Sequence, residues 1–236
     1  MRTIMTRTIF SICLLLVIST ALQAQDARDW LLRMNRAFAG SKTCDMSFSM
    51  QYYASKRDQR PQLSASGKVA FGQGFYFSSF MGKTVLSNKR CSVVIDDNEK
   101  QIVYLPSMEQ PKEKPKTPSL EFLLDSALLK TADARMISTT AAFARVRIFP
   151  KEGIYESIEV QINALTFAME ELIYIYKPLE EGSPAVKAVI RYDSVRFNTS
   201  FDEARFSEKA YLVKHNGKWK GVGSRASYLV IDENSK

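Results

Sequence analysis

CDMSFSMQY, residues 44–52, alternates without a break: Cys44, Met46, Phe48, Met50 and Tyr52 fall on one side, and Asp45, Ser47, Ser49 and Gln51 on the other. Side chains in a strand switch faces at every residue, so the stretch reads as a strand with one apolar face. That face is rich in Met and Phe rather than Val and Ile. Such side chains line adaptable apolar surfaces as readily as they fill a tight core.

Working outward, the polar run 55–61, which ends in Pro61, turns the chain into a second strand, Leu63–Phe71, with Leu63, Ala65, Gly67, Val69 and Phe71 in phase. Gly72-Gln-Gly74 and Gly82 are turn signals that separate Phe75–Phe80 from Thr84–Ser87, and Asp96-Asp-Asn98 separates Lys89–Ile95 from Gln101–Leu105. Strand patterns resume at Arg145–Phe149, Tyr155–Gln161, Thr166–Lys177, Ala185–Asn198 and Ser227–Ile231. Upstream, Trp30, Leu31, Met34 and Phe38 recur at helical spacing, with Asp26 as a cap and Gly40 as a stop. The stripe suits packing on a sheet or a lid over a pocket. Met108–Pro118, with three prolines and three lysines, reads as an exposed loop, and Ser119–Lys130 as a second helix with Leu120, Leu123, Leu124, Ala127 and Leu128 on one face. Short strands between frequent turns and no βαβ alternation predict an α+β chain that is mainly antiparallel β.

The first residues are set apart. Arg2 and Arg7, the apolar run Ile9–Ile18 and the small residues before Ala24 make the three parts of a secretory signal peptide, with cleavage expected after Ala24. The apolar run is shorter than the roughly 20 residues a spanning helix needs. Residues 25–236 then form a single exported domain. The chain carries a net charge of +8, concentrated partly in Lys112, Lys114 and Lys116 and in Lys214, Lys218, Lys220 and Arg225. Such an excess suits solubility, or anionic headgroups or an acidic partner, and no nucleic-acid motif accompanies it. Cys44 and Cys91 both sit on apolar strand faces. In an oxidising compartment they form either one disulfide or two separate buried thiols.

Catalytic patterns are missing. The one histidine, His215, stands beside the turn signal Asn216-Gly217, and no nucleophile elbow, phosphate loop or zinc ligand set appears. Asp96-Asp97, Glu170-Glu171 and Glu180-Glu181 are adjacent pairs whose members diverge in extended chain. The expectation is a protein that is not an enzyme and needs no cofactor or metal.

Ser66–Phe77 (SGKVAFGQGFYF) and Val93–Leu105 (VVIDDNEKQIVYL), following an amphipathic helix in an exported chain, together resemble the LolA-like periplasmic lipoprotein carriers. Ser66-Gly67-Lys68 with Phe71 matches one motif of that family, Asp96 or Asp97 with Tyr104 another, and Phe201–Val213 a late segment. The chain departs from the family at Asp96-Asp-Asn98, where Asp-Gly is usual, and at Ile102 or Val103, where an aromatic is usual. It also shows no counterpart of the family's cavity arginine.

The resemblance implies an unclosed half-barrel covered by helices, with an apolar cavity for acyl chains. It implies a monomeric periplasmic carrier that moves lipid or lipoprotein toward the outer membrane, with acyl chains as cargo and a membrane-associated donor or acceptor protein. A non-carrier binding or assembly protein of the cell envelope with the same fold is the alternative. The inner face is expected to carry Met46, Phe48, Met50, Val69, Phe71, Phe75 and Phe77, and the covering helix Trp30, Met34 and Phe38. These residues either line a cavity or meet one another in a dry core.

Overall fold

Tight turns set the register of this sheet. Gln73-Gly74 joins β2 (Leu63–Gly72) to β3 (Phe75–Phe80), and Met81-Gly82 joins β3 to β4 (Lys83–Ser87). Their φ angles are all positive, 56° and 83° in the first turn, 51° and 77° in the second. A two-residue hairpin turn needs this backbone, because its twist then matches that of the strands. The computed structural model describes residues 26–106, 132–178, 180, 183–200 and 202–233. The segments read as a signal peptide (1–24), a Pro/Lys loop (108–118) and a second helix (119–130) lie outside the described residues.

The remaining strands are β1 (Thr43–Tyr53), β5 (Cys91–Asp96), β6 (Gln101–Pro106), β7 (Asp133–Thr139), β8 (Phe143–Phe149), β9 (Tyr155–Asn163), β10 (Met169–Tyr176), β11 (Lys187–Phe197), β12 (Leu212–His215), β13 (Lys218–Gly221) and β14 (Leu229–Asp232). Twelve of the described strands form one sheet, in the order β14-β6-β5-β4-β3-β2-β1-β11-β10-β9-β8-β7. β7 and β14 are its two ends, so the sheet is unclosed. Its pairings are antiparallel except β14 with β6, which run parallel. β12 and β13 make a separate hairpin around Asn216-Gly217. β7, β12 and β13 are strands that the sequence pattern did not reveal.

One described helix, α1 (26–39), lies on the sheet. Ala27, Leu31, Met34 and Phe38, spaced by three or four residues, are buried. The helix ends as Gly40 N–H donates to the Arg36 carbonyl at 2.8 Å. Its stripe packs on Cys44 and Met46 of β1, on Val146, Ile148, Ile158, Val160 and Ile162 of β8 and β9, and on Met169 and Leu172 of β10. A fully buried side chain of this size contributes about 1.5–3 kcal/mol, so the helix is held by tertiary packing more than by its own propensity. On the opposite face, this half of the sheet carries charged rows. Glu171 takes Arg145 at 3.1 Å and Arg191 at 2.8 Å, and Glu159 takes Arg147. The face turned from the helix is therefore a solvated one.

The other half is buried on the opposite side. Cys44 pairs with Phe71, which pairs with Tyr76, while Asp45 pairs with Ala70, Ala70 with Phe77, Phe77 with Leu86 and Leu86 with Val93. Leu86, Cys91, Val93, Ile95 and Ile102 thus share a face with Asp45, and the C-terminal chain covers them with Leu212, Tyr211, Trp219 and Tyr228. A third cluster joins Ala70 and Phe77 to Phe206.

Cys44 and Cys91 consequently belong to different cores on opposite faces of the sheet, and both are free thiols. The disulfide alternative is corrected: strand parity keeps the two sulfurs apart. Burial, with Asp45 adding a smaller push, raises the Cys44 thiol to about 12, and burial also raises Cys91. Both stay protonated, and hence unreactive, at neutral pH.

Asp97, in the β5–β6 turn, ties down the C-terminal segment. Arg225 donates to it through Nε and Nη2 at 2.8 and 2.9 Å, and the Tyr228 hydroxyl donates at 3.1 Å. The Arg225 hydrogen bonds, with help from Tyr228, hold the carboxyl below its usual range. A depressed folded-state pKa gives stability that is complete above the unfolded carboxylate pKa and is lost as the pH falls through the folded one. Asp97→Asn is therefore expected to be less stable than the wild type in urea at neutral pH. The difference should shrink steadily below about pH 4. A gap unchanged between neutral pH and strong acid would show that the charge is not what holds the segment.

Candidate functional site

α1 covers only part of its face. Farther along β1 the same face continues through Phe48, Met50 and Tyr52. Phe48 stands between Gly67 of β2 and Tyr192 of β11, and Met50 between Ala65 and Ile190. Register carries the face outward, from Gly67 to Phe80 and from Ser78 through Val85 and Val94 to Val103. Phe48, Met50, Ala65, Phe80, Val85, Val94 and Val103 are all half-buried, and none belongs to a buried core. Leu63, Leu105 and Leu229, at the margins, are exposed. The result is a continuous apolar field that runs out of the helix-covered core and toward water.

Phe48 is its centre. The ring lies directly over Gly67, where an added Cβ would come within 2.4 Å of the ring carbons. Only glycine leaves the Phe48 ring that room. Phe80 and Tyr192 lie beside it, with ring centroids at 5.5 and 6.1 Å. Burial pushes the Tyr192 phenol up, and it stays neutral at physiological pH. Tyr155 stacks with Tyr174 and Tyr176, each at 5.1 Å, at the helix-covered side of the same face. Burial likewise raises Tyr174 and Tyr176. At the opposite margin Lys83 pairs with Asp96 at 3.2 Å. The field is thus apolar, aromatic-rich and uncharged in its middle, with polar groups at its rim. That chemistry suits a flexible hydrocarbon.

The residues expected to line the site divide into three groups. Met34, Phe38 and Met46 are buried in the helix-side core, and Trp30, Val69 and Phe71 pack against it. Phe48 and Met50 lie in the open field. Phe75 and Phe77 are corrected: they are on the other face of the sheet, where Phe206 packs on the Phe75 ring at 5.2 Å. The two-residue turn at Gln73-Gly74 pairs Phe71 with Tyr76, which sends both neighbours of Tyr76 to the far side. Phe80, Val85, Val94 and Tyr192 were missed as members of the site. Counting residues across the tight turns identifies Phe80, Val85 and Val94; Tyr192 depends on a bulge between Ser47 and Phe48 that no local pattern announces.

His215 is exposed at the tip of the β12–β13 hairpin. The acidic pairs hold structure together: Asp96 takes Lys83, Asp97 takes Arg225, Glu170 takes the amides of Gln161 and Asn163, and Glu171 takes Arg145 and Arg191. Glu181 lies outside the described residues. Among the described residues, no three His, Cys, Asp or Glu side chains gather as metal ligands would, and no helix is long and apolar enough to cross a membrane.

No family model matches the chain, and no curated protein does. Solved structures with a similar arrangement include an uncharacterized conserved protein from Thermus thermophilus, at 11% identity and a TM-score of 0.47, covering 88% of this chain and 99% of that one. Pseudomonas aeruginosa MucB, solved in complex with MucA, is similar at 11% identity and a TM-score of 0.42, covering 87% of this chain and 64% of that one. A LolA superfamily protein from Nitrosomonas europaea is similar at 9% identity and a TM-score of 0.32, covering 78% of this chain and 98% of that one. The structural neighbours of this chain thus include a member of the superfamily that its sequence motifs resemble, at identities and scores that assign neither a family nor a function.

Proposed function

We propose that this chain is an exported, non-enzymatic carrier that holds acyl chains of lipid or lipoprotein on the apolar field around Phe48 and Met50. The observation that supports it most is the continuity of that field: one sheet face passes from a helix-covered core to half-buried Phe and Met with no charged residue in the middle. A buried methylene contributes about 0.8 kcal/mol, so an acyl chain of roughly sixteen carbons gains on the order of 12 kcal/mol on leaving water. A carrier has to match most of that gain and still let go. A site that is half open and lined by adaptable side chains holds a chain without enclosing it. In the periplasm the donor or acceptor would be a membrane-associated protein.

The test is gentle purification followed by native mass spectrometry, with a fluorescent fatty-acid analogue titrated in parallel. Mass added by co-purified lipid, and saturable probe binding that unlabelled palmitate displaces, are the expected results. A bare protein mass together with no saturable probe binding would remove the carrier reading and leave the envelope assembly protein.

A further inference from the structure

The opposite face of the sheet carries a second recess that the acyl-chain reading does not use. Its volume is about 390 Å³, and it is lined by Asp45, Met46, Ser47, Lys68, Phe77, Ser194, Arg196 and Arg205. The floor comes from three adjacent strands. Ser47 of β1 stands directly between Ser194 of β11 and Lys68 of β2, and Asp45 stands between Arg196 and Ala70. Phe77 of β3 and Arg205, from the single-turn helix Glu203–Phe206, form the wall.

The charges in this recess do not cancel. Asp45 accepts from Arg196 Nη2 and from Arg205 Nη1, both at 3.0 Å on the same carboxylate oxygen. One carboxylate therefore faces three cations, and the third, Lys68, has no acidic partner among the described residues. Asp45 does a positioning job: it turns both guanidinium groups toward the recess while occupying one N–H of each. The other guanidinium N–H groups stay available, and a planar fork of donors suits the oxygens of an oxyanion. Arg205 is fixed a second time by lying over the Phe77 ring at 5.0 Å. The Ser47 and Ser194 hydroxyls share a hydrogen bond at 3.1 Å, which leaves one O–H as a neutral donor at the floor. An excess of fixed donors and positive charge in a concave site is the chemistry that takes a phosphate group.

We infer that the recess between Lys68, Arg196 and Arg205 binds a phosphate group, free or esterified, on the face of the sheet opposite the acyl-chain field. Asp45 and Phe48 differ in strand parity, so a lipid lying on Phe48 does not place its own headgroup here. The two sites are independent, and either can stand if the other fails.

The experiment is titration of the full chain with inorganic phosphate at constant ionic strength, followed by 31P line broadening and calorimetry. Lys68→Gln and Arg205→Gln are measured beside the wild type. Loss of one charge-assisted contact should weaken phosphate binding by about tenfold in each variant. Lys68 is exposed, and its side chain makes no hydrogen bond or ion pair among the described residues, so its variant is expected to keep the wild-type melting temperature and to read the site alone. Flotation with phosphatidylcholine vesicles, with and without phosphatidylglycerol, separates the sources. Lys68-dependent binding to the anionic vesicles, displaced by inorganic phosphate, identifies a lipid headgroup. Phosphate binding without vesicle binding identifies a soluble phosphate. Absence of saturable phosphate binding, or binding of equal strength in Lys68→Gln, overturns the inference.

Discussion

Phe48→Asp is expected to weaken binding of the fluorescent fatty-acid analogue at least thirtyfold while leaving the protein folded. The Phe48 ring is half-buried at the middle of the apolar field, with its tip over Gly67 and beside Phe80 and Tyr192. A hydrocarbon crossing this point loses contact with about three methylenes, worth roughly 2–3 kcal/mol. The new carboxylate must also give up water or force the chain aside, which adds to the penalty. The fold tolerates the change because Phe48 contributes to none of the buried clusters. Val213→Asp, at an exposed position on the β12–β13 hairpin, serves as a control and should bind the probe as the wild type does. Equal probe affinity in Phe48→Asp and the wild type would place the acyl site elsewhere or nowhere.

Phe206→Ala is expected to lower stability by about 3–5 kcal/mol, the range for emptying a buried aromatic site. For a chain of this size that corresponds to a melting temperature lower by about 10 °C. Phe206 is completely buried, yet it comes from a short helix outside the sheet. It fills the space over Ala70 and Phe77, and its carbonyl accepts from the Asn88 side chain at 2.8 Å. Glu208, two residues on, is buried as well and pairs with Arg90 at 3.1 Å. These contacts pin the start of the C-terminal cover to the β4–β5 turn. Ala70 beneath it is too small to fill the vacated volume, so the cavity term persists. A loss below 1 kcal/mol in chemical denaturation would mean that the cover is held by other contacts. Phe206 also shapes the phosphate recess through its neighbour Arg205, so the binding experiments rely on Lys68 rather than on this position.

Much of the sheet was legible because strand parity is a local property. The alternation in 44–52 set the two faces of β1, and the turn signals Gly72-Gln-Gly74, Gly82 and Asp96-Asp-Asn98 bounded β2 to β6 to within two residues. The α1 stripe was equally plain, since Leu31, Met34 and Phe38 keep helical spacing. What stayed hidden depends on the relation between elements. In 75–80 both parities are apolar, with Phe75 and Phe77 on one side and Tyr76 and Phe80 on the other. The pattern alone does not say which side meets Phe48; the length of the Gln73-Gly74 turn does. The same counting across β3 to β5 separates Cys91 from Cys44. β7 was obscured by a register shift between Met136 and Ser138, which interrupts its alternation. The β12–β13 hairpin carries mostly exposed side chains, so its turn, Asn216-Gly217, was clearer than its strands.

Because the two halves of the sheet hide opposite sides, a slip of one residue at β2–β3 is punished whichever strand moves. Sliding β3 and β4 would drive Ser78 and Ser87 toward the C-terminal cover in the place of Phe77 and Leu86. Sliding β2 instead would carry Val69 and Phe71 away from Met46 and Cys44. An ordinary one-sided sheet resists misalignment only from its single greasy surface. Here each flank acts as a lock on the other, and an open-ended array of this width keeps its alignment without joining its first strand to its last.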